Sequence, residues 1–242
     1  MIYVNHNIIA HRGYHNSKMN IPENSILAFK RAIRNKYIIE LDVHITKDNK
    51  IVVFHDFSLK RLFNVNKLVE NCTYNELLNY SFPNTNQKIP LLKSVLNIVN
   101  GSVPIIIEIK SLSFNGKLEK ELCKIIGNYN GLIYVQSFNI LSILWFRINK
   151  KKIKRGIIYS SLDKKTNILK NNIIKQILFN TILKLDFISC NKDSLNDNYI
   201  VKLRKKIPIF SWTIKNREEY DLYQRFSDKL ICDNIDDFLI CK

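Results

Sequence analysis

The feature that most restricts the fold of this chain is an alternation between short runs rich in Ile and Val and longer stretches with helical periodicity. The short runs lack the in-and-out alternation of half-exposed strands and are typical of parallel strands buried on both faces. The candidate strands are 7–10, 38–43, 51–54, 104–109, 132–136, 155–159, 186–189, 208–212 and 229–232. Strand–helix repeats across 242 residues predict an α/β fold with one (β/α)₈ barrel domain, and an open doubly wound sheet is the alternative.

Amphipathic stretches between these runs predict the helices of the barrel. The first, 23–34, places Ile26, Phe29 and Ala32 near one face and follows Pro22, a residue that is common at helix starts. The other predicted helices are 91–99, 117–127, 141–148, 167–183, 194–205 and 217–226.

Two stretches depart from the regular repeat. The link between the runs 38–43 and 51–54 is shorter than the dozen or more residues that a crossover helix needs. Either that helix is missing, or the two strands pair antiparallel through a turn at Asp48-Asn49, which leaves one strand surplus to a ring of eight. The stretch 57–89 has only a weak helical pattern and is predicted to be a small insertion after the third strand.

The charge balance is strongly basic, with 38 Lys and Arg against 21 Asp and Glu, a formal net charge of +17. Such a charge favours anionic partners in general. The basic residues are scattered, however, rather than gathered on one face with interleaved aromatic residues, as a nucleic-acid binder requires. We therefore predict a solvated lysine-rich surface and no nucleic-acid partner, and keep a non-catalytic binder of anionic ligands as an outside alternative.

The five cysteines are widely spaced and form no C-x-x-C pair, which argues against a disulfide framework or a zinc knuckle. Buried free thiols in a reducing compartment are the simpler interpretation. The first residues lack the pattern of a secretory signal, and the apolar runs fall short of the ~18 residues of a membrane span. We expect a cytoplasmic protein, and the oligomeric state stays open.

Charged or titratable side chains stand at the ends of four predicted strands. In a (β/α)₈ barrel these ends form one rim, which carries the active site. Two carboxylates of the second strand are two residues apart and therefore point to the same face. The residues at these ends are His11, Arg12, Glu40, Asp42, His55, Glu108 and Lys110. Taken one by one, each could be an ordinary packed histidine or structural ion pair, but polarity at four strand ends together predicts one joint site.

The residue types in this set indicate a chemistry. Carboxylates among Ile and Val are costly to bury unless they are paired or bind a cation, and three of them could supply oxygen ligands to a hard divalent ion. An arginine and a lysine could offset the charge of a bound phosphate. The two histidines can exchange protons near neutral pH. A cation site, a phosphate clamp and two histidines together predict a phosphodiesterase.

The same residues lie in four of five short motifs that follow one another along the first half of the chain. The motifs are Ala10-His11-Arg12-Gly13, Pro22-Glu23-Asn24-Ser25, Ile39-Glu40-Leu41-Asp42-Val43, Val52-Val53-Phe54-His55-Asp56 and Ile107-Glu108-Ile109-Lys110. In order, spacing and residue type they resemble the glycerophosphodiester phosphodiesterase family. Weaker echoes at Ser137-Phe138, Trp212-Thr213 and Cys232-Asp233 extend the resemblance along almost the whole chain.

This resemblance implies a TIM barrel over residues 1–242, with the insertion at about 57–89, that hydrolyses glycerophosphodiesters to sn-glycerol 3-phosphate and an alcohol. It implies one divalent cation, Mg²⁺ or Ca²⁺, with Mn²⁺ as a further candidate. Its site residues are the metal ligands Glu40, Asp42 and Glu108, the catalytic histidines His11 and His55, and the substrate contacts Arg12, Lys110 and Trp212. Which histidine is the base and which the acid stays open, as does a cyclic intermediate against direct attack by water.

A lysophospholipase D or sphingomyelinase-D-like phosphodiesterase acting on lipids is the alternative enzyme. The stretch 141–155 combines Trp145 and Phe146 with several lysines, a composition that could bring it into peripheral contact with an anionic membrane. A barrel helix whose last turn is basic explains the same residues, because cations are favourable at a helix carboxyl end.

Overall fold

The computed structural model describes residues 7–112, 115–160 and 182–239. Its central feature is a closed ring of eight parallel strands, with a ninth strand outside the ring. In chain order the strands are β1 (Ile8–Ala10), β2 (Ile38–Ile45), β3 (Ile51–Val53), β4 (Ile105–Ile109), β5 (Ile133–Ser137), β6 (Lys154–Tyr159), β7 (Phe187–Asn191), β8 (Ile209–Ile214) and β9 (Lys229–Cys232). Because β1 pairs with both β2 and β9, the ring closes. Closure confirms the predicted (β/α)₈ TIM barrel and excludes the open doubly wound sheet.

Helices follow most strands and cover the outside of the ring. In the described residues they are α1 (Ile26–Arg34), α2 (Lys60–Phe63), α3 (Tyr74–Leu77), α4 (Leu92–Val99), α5 (Lys117–Ile126), α6 (Ile140–Asn149), α7 (Asn198–Leu203), α8 (Arg217–Tyr223) and α9 (Asp236–Leu239). The predicted helix 167–183 lies almost entirely outside the described residues.

Two predicted helix starts are wrong by several residues. The first helix begins at Ile26 rather than at residue 23, because the Ser25 side chain accepts a hydrogen bond from the backbone N–H of Ala28 and so caps the helix. The helix predicted over 194–205 begins only at Asn198, after a 3₁₀ turn at Lys192–Ser194. In both places a local contact, a side-chain cap at Ser25 or a 3₁₀ turn at Lys192–Ser194, places the first helical residue later than periodicity predicts.

β3 is the surplus strand, and it pairs antiparallel with β2. The turn between them uses Asn49 at φ 62°, a left-handed conformation that Asn tolerates. The hairpin runs back along β2 until the Phe54 N–H donates to the Asp42 carbonyl at 3.0 Å. His55 therefore leaves the hairpin at the level of Asp42, which brings a residue from outside the ring to the barrel rim.

The stretch that follows β3 contains α2 and α3 and builds a small apolar cluster of its own beside the barrel. Thr73 and Glu76 form a reciprocal capping box at the start of α3. The buried members of the cluster are Val52, Phe54, Leu59, Val69, Cys72, Leu77, Phe82 and Ile89. Packing of Val52 and Phe54 into this cluster attaches the insertion to the hairpin that carries His55.

The interior of the barrel is closed towards the amino ends of the strands by stacked aromatic rings. The Phe187 and Phe210 rings lie 4.6 Å apart between centroids. An added Cβ at Gly156 would overlap the Phe187 ring, so only glycine fits on the neighbouring strand. The stacking of Phe187 on Phe210 therefore requires a residue without a Cβ at position 156.

Replacing Gly156 with Ala is expected to destabilise the barrel by about 1–3 kcal/mol, because overpacking a rigid core forces side chains and backbone apart. The free energy of unfolding from urea titration measures the loss. Ser102→Ala, at an exposed position, is the control and should stay within about 0.5 kcal/mol of the parent. Equal stability of the Gly156 variant and the parent would show that the ring can move aside.

The described part of the chain has no helix with the length and hydropathy to cross a bilayer. Its cysteines, Cys72, Cys123, Cys190 and Cys232, are free and buried, as predicted for them, whereas Cys241 lies outside the described residues.

Candidate active site

Three buried carboxylates meet at the carboxyl ends of β2 and β4. Asp42 and Glu108 are partners in the pairing of the two strands, and Glu40 lies two residues before Asp42 on the same face. One oxygen of each carboxylate lies within 4.8 Å of the others. The Lys110 ammonium contacts Asp42 Oδ1 at 3.1 Å and Glu108 Oε1 at 2.5 Å. The structure therefore brings together the three residues that the sequence suggested as metal ligands.

The electrostatics of this cluster suit a cation. Burial raises the pKa of Glu40, and the charges of Asp42 and Glu108 raise it further. Burial also raises the pKa of Glu108. For Asp42, the cost of burial is outweighed by Lys110, His55 and Arg12, so its pKa is lowered. Three buried carboxylates face two cations, Lys110 on Asp42 and Glu108 and Arg12 beside Asp42, which leaves negative charge, and the carboxylate oxygen atoms are the donor set that a hard divalent ion prefers. The cluster could therefore bind a metal ion.

Each of the two predicted catalytic histidines is held by a carboxylate. His11 Nδ1 lies 2.7 Å from Asp233 Oδ1, and His55 Nδ1 lies 2.8 Å from Asp56 Oδ1. When Nδ1 donates to a carboxylate, Nε2 is the nitrogen that remains for proton transfer. His15 also contacts Asp233, with its Nε2 3.1 Å from Oδ1. Burial lowers the pKa of His55, which favours its neutral form.

The turn after β1 positions Arg12. Arg12 and Gly13 both have left-handed backbone conformations, with φ of 53° and 80°. A Cβ at Gly13 would lie 2.9 Å from the Ala28 Cβ, so glycine is needed for the turn to pack on α1. The turn aims the Arg12 N–H at Glu40 Oε2, 3.0 Å away, and its guanidinium at Glu23 Oε1, 2.9 Å away. Arg12 is thereby fixed beside the carboxylate cluster.

A row of ion pairs joins Arg12 to the His55 side of the site. Glu23 accepts from Arg12 and also from Arg61, whose Nη2 lies 2.6 Å from Glu23 Oε1. Arg61 Nε in turn lies 2.6 Å from Asp56 Oδ2. The carboxylate that orients His55 is therefore tied, through Arg61 and Glu23, to the predicted phosphate contact.

The two histidines, Arg12, Lys110 and two of the three carboxylates, Glu40 and Glu108, surround one cavity of about 100 Å³ in the mouth of the barrel. Trp212 forms one wall, with its ring 6.0 Å from that of Phe138 and its Nε1 donating to the Ser189 carbonyl at 3.0 Å. All the sequence-predicted site residues line this cavity except Asp42, which is buried. The residues lining it are His11, Arg12, Glu40, His55, Glu108, Lys110, Gln136, Phe138, Ile158, Ser189, Trp212, Thr213 and Ile231.

Sequence reasoning missed several of the residues that build this site. The adjacency of Asp56 to His55 was a signal that could have been used. Asp233 stands in one of the weaker family echoes, but its contact with His11 could be recognised only from closure of the ring, since 222 positions separate the two. The residues to which the sequence assigned no role in the site are Glu23, Asn24, Asp56, Gln136, Ser189 and Asp233.

Few enzyme classes need buried acidic ligands, paired histidines and basic side chains on one barrel rim, and the phosphodiesterases built on TIM barrels are such a class. The chain matches the sequence model of the glycerophosphoryl diester phosphodiesterase family over residues 11–237, and it belongs to that family.

Relatives of known name agree with this assignment. The chain is 30% identical to the Bacillus subtilis protein named "Putative glycerophosphodiester phosphodiesterase YhdW", with 96% of each covered. It is 36% identical over 135 residues to human lysophospholipase D GDPD1, an alignment that covers 50% of this chain and 41% of that protein. An Oleispira antarctica phosphodiesterase, solved in complex with the product sn-glycerol-3-phosphate, superposes with a TM-score of 0.81 at 17% identity and covers 96% of this chain and 95% of its own.

Proposed function

We propose that this chain is a single-domain enzyme that hydrolyses glycerophosphodiesters to sn-glycerol 3-phosphate and an alcohol. The observation that carries the proposal is the convergence of three carboxylates and two carboxylate-bound histidines on one cavity. The full-length Bacillus subtilis relative and the product held by the Oleispira antarctica enzyme support the same reaction and product.

Glu40, Asp42 and Glu108 would hold one divalent cation, Mg²⁺, Ca²⁺ or Mn²⁺, all of which accept oxygen ligands. When bound, such an ion polarises a phosphate oxygen and offsets negative charge. Arg12 and Lys110, on either side of the cluster, supply positive charge for the remaining phosphate oxygens.

His11 and His55 carry the protons. Each presents a free Nε2, because its Nδ1 is engaged by an aspartate. One imidazole takes the proton of the attacking nucleophile, which is water or a glycerol hydroxyl group, and the other, as imidazolium, protonates the leaving alcohol; where the hydroxyl group attacks, water then opens the cyclic phosphate to give sn-glycerol 3-phosphate. Asp233 and Asp56 hold the two rings and stabilise whichever imidazolium forms. Trp212 forms the wall against which the glycerol carbons pack.

One observation favours a lipid substrate as the second candidate. Exposed apolar side chains follow β3, β4 and β5 along the chain, and one of them, Phe138, lines the cavity. They are Phe57 at 39%, Leu112 at 50%, Phe138 at 40% and Leu141 at 47% exposure. Such side chains could take an acyl chain, as the name of the human relative suggests for that protein.

A substrate panel tests both candidates. Glycerophospho-choline, -ethanolamine and -glycerol and a lysophosphatidylcholine are supplied with each cation in turn, and release of glycerol 3-phosphate or lysophosphatidic acid is followed. We expect glycerol 3-phosphate from the deacylated diesters. Faster release of lysophosphatidic acid would favour the lipid enzyme, and no release from any diester would contradict both.

Replacing Asp233 with Asn is expected to lower kcat by about 10²-fold, because the amide cannot hold the protonated Nδ1 of His11 as a carboxylate does. The substitution keeps the shape of the side chain, so the melting temperature should change little. Asp237→Asn, at an exposed position four residues later, is the matched control. Equal kcat in the two variants would show that Asp233 does not position His11.

A further inference from the structure

One arginine of the insertion reaches the site from outside the cavity. Arg61 lies on α2, in the stretch that follows β3, and it does not line the cavity. Its Nε lies 2.6 Å from Asp56 Oδ2, and its Nη1 and Nη2 lie 3.2 Å and 2.6 Å from the two oxygens of Glu23. Because all three guanidinium nitrogens contact carboxylates, Arg61 acts on the site through Asp56 and Glu23.

The contact with Asp56 bears on the orientation of His55. The backbone of His55 is fixed, since its carbonyl accepts from His44 Nε2 at 3.2 Å. Rotation of the imidazole is restrained by the contact between its Nδ1 and Asp56 Oδ1. The Asp56 side chain is 21% exposed, so water competes for its oxygens. The bond from Arg61 to Oδ2 fixes the carboxylate with Oδ1 turned towards the ring.

The contact with Glu23 bears on the availability of Arg12. Glu23 Oε1 accepts from Arg12 at 2.9 Å as well as from Arg61. Burial by itself would raise the pKa of Glu23, but the two arginines outweigh it and lower the pKa, so the carboxylate is ionised. Without Arg61, Arg12 would be the remaining ion-pair partner of Glu23 among the described residues. Glu23 would then compete more strongly with a bound phosphate for the Arg12 guanidinium.

We propose that Arg61 is a positioning residue, through which the insertion orients His55 and keeps Arg12 available to the phosphate. This inference rests on the proposed function and adds a role for the insertion in it. Leu59 is buried in the apolar cluster of the insertion, and the Phe63 ring stacks on Phe54 at 5.8 Å, so both ends of α2 are anchored. The Arg61 side chain is 45% exposed, and ion pairs of such exposure contribute little to stability.

Arg61→Ala is expected to lower kcat for glycerophosphocholine by about 10–100-fold, the usual effect of losing a group that orients a catalytic residue. KM should rise severalfold, because Glu23 then holds Arg12 more strongly. Guanidinium ions added to this variant should restore part of kcat, and methylammonium at equal ionic strength should restore less, since it lacks the planar fork. Lys60→Ala, on the same helix, is the control and should keep the parent values, since its ammonium contacts Asn64.

Double variants separate the two effects of Arg61. In the Asp56→Asn background, Arg61→Ala should leave kcat unchanged and still raise KM. In the Glu23→Gln background it should leave KM unchanged and still lower kcat. Parent kinetics in Arg61→Ala, or an equal fall in kcat in both backgrounds with a lowered melting temperature, would overturn the positioning role.

A measurement without turnover separates this inference from the proposed function. The ring ¹⁵N shifts of His55, assigned by their absence in His55→Ala, report which nitrogen carries the proton of the neutral ring. We expect the proton on Nδ1 in the parent and in Lys60→Ala, and a larger share on Nε2 in Arg61→Ala. If the parent hydrolyses no diester and this shift is still seen, the proposed function fails while the positioning role stands. An unchanged proton distribution in Arg61→Ala would overturn that role.

Discussion

Turnover is expected to disappear when either His11 or His55 is replaced with Ala, while the fold is retained. General acid–base catalysis by a positioned side chain contributes about 10²–10⁴-fold, and in the proposed mechanism each histidine carries one of the two proton transfers. Neither ring belongs to the buried apolar clusters of the described residues, so its removal leaves the core unchanged. Steady-state hydrolysis of glycerophosphocholine measures the loss of activity, and thermal denaturation verifies the fold.

His15→Ala is the matched control for the histidine variants. His15 contacts the same oxygen of Asp233 as His11 does, but it does not line the cavity. We expect its variant to keep activity within about tenfold of the parent, because a second-layer hydrogen bond is lost but no proton carrier is removed. Full activity in either the His11 or the His55 variant would end the assignment of both as catalytic residues.

The second large expected effect is the loss of hydrolysis or of cation affinity when the divalent cation, or one of its predicted ligands, is removed. EDTA should stop hydrolysis, and Glu108→Gln should weaken cation binding by at least about 10–100-fold, since it removes one of three converging carboxylates. The substitution also leaves Lys110 with fewer anionic partners, since this lysine contacts both Glu108 and Asp42. Calorimetric titration with Mg²⁺, Ca²⁺ and Mn²⁺ measures the affinity, and Glu121→Gln on α5, which pairs with Lys124 away from the carboxylate cluster, is the control.

Cation binding should also be visible without substrate. Burial and mutual repulsion raise the pKa values of Glu40 and Glu108, so a cation that favours their ionised forms should release protons and raise the melting temperature. Titration in buffers of different ionisation enthalpy counts the protons. Hydrolysis unaffected by EDTA, together with a melting temperature that no cation changes, would remove the metal from the proposal.

Much of the candidate site could be predicted from short-range patterns. Glu40 and Asp42 share a face because a strand alternates its side chains, whatever the rest of the chain does. The short link after residue 43 already excluded a crossover helix, and the resulting hairpin is what carries His55 to the level of Asp42. The small insertion after β3 was likewise indicated by its weak periodicity.

Helix boundaries were less predictable, because periodicity describes the buried face of a helix but not its first residue. The face of α1 was recognised, whereas its start depends on a single capping hydrogen bond from the Ala28 N–H to the Ser25 hydroxyl. The first residue of α7 is likewise set by a local structure, because a 3₁₀ turn at Lys192–Ser194 precedes the helix.

The sequence by itself determined the strand runs, the carboxylates that share a strand face and the motifs of the family, since each depends on residues close together along the chain. Only the tertiary structure decided that Asp233 holds His11, and that Gln136 and Ser189 lie unpaired in one cavity. His11 and Asp233 follow β1 and β9, which come from opposite ends of the chain and are neighbours only because the ring closes, while Gln136 and Ser189 lie on β5 and β7. These placements depend on the closure and register of all eight strands together, which no local pattern of side chains specifies.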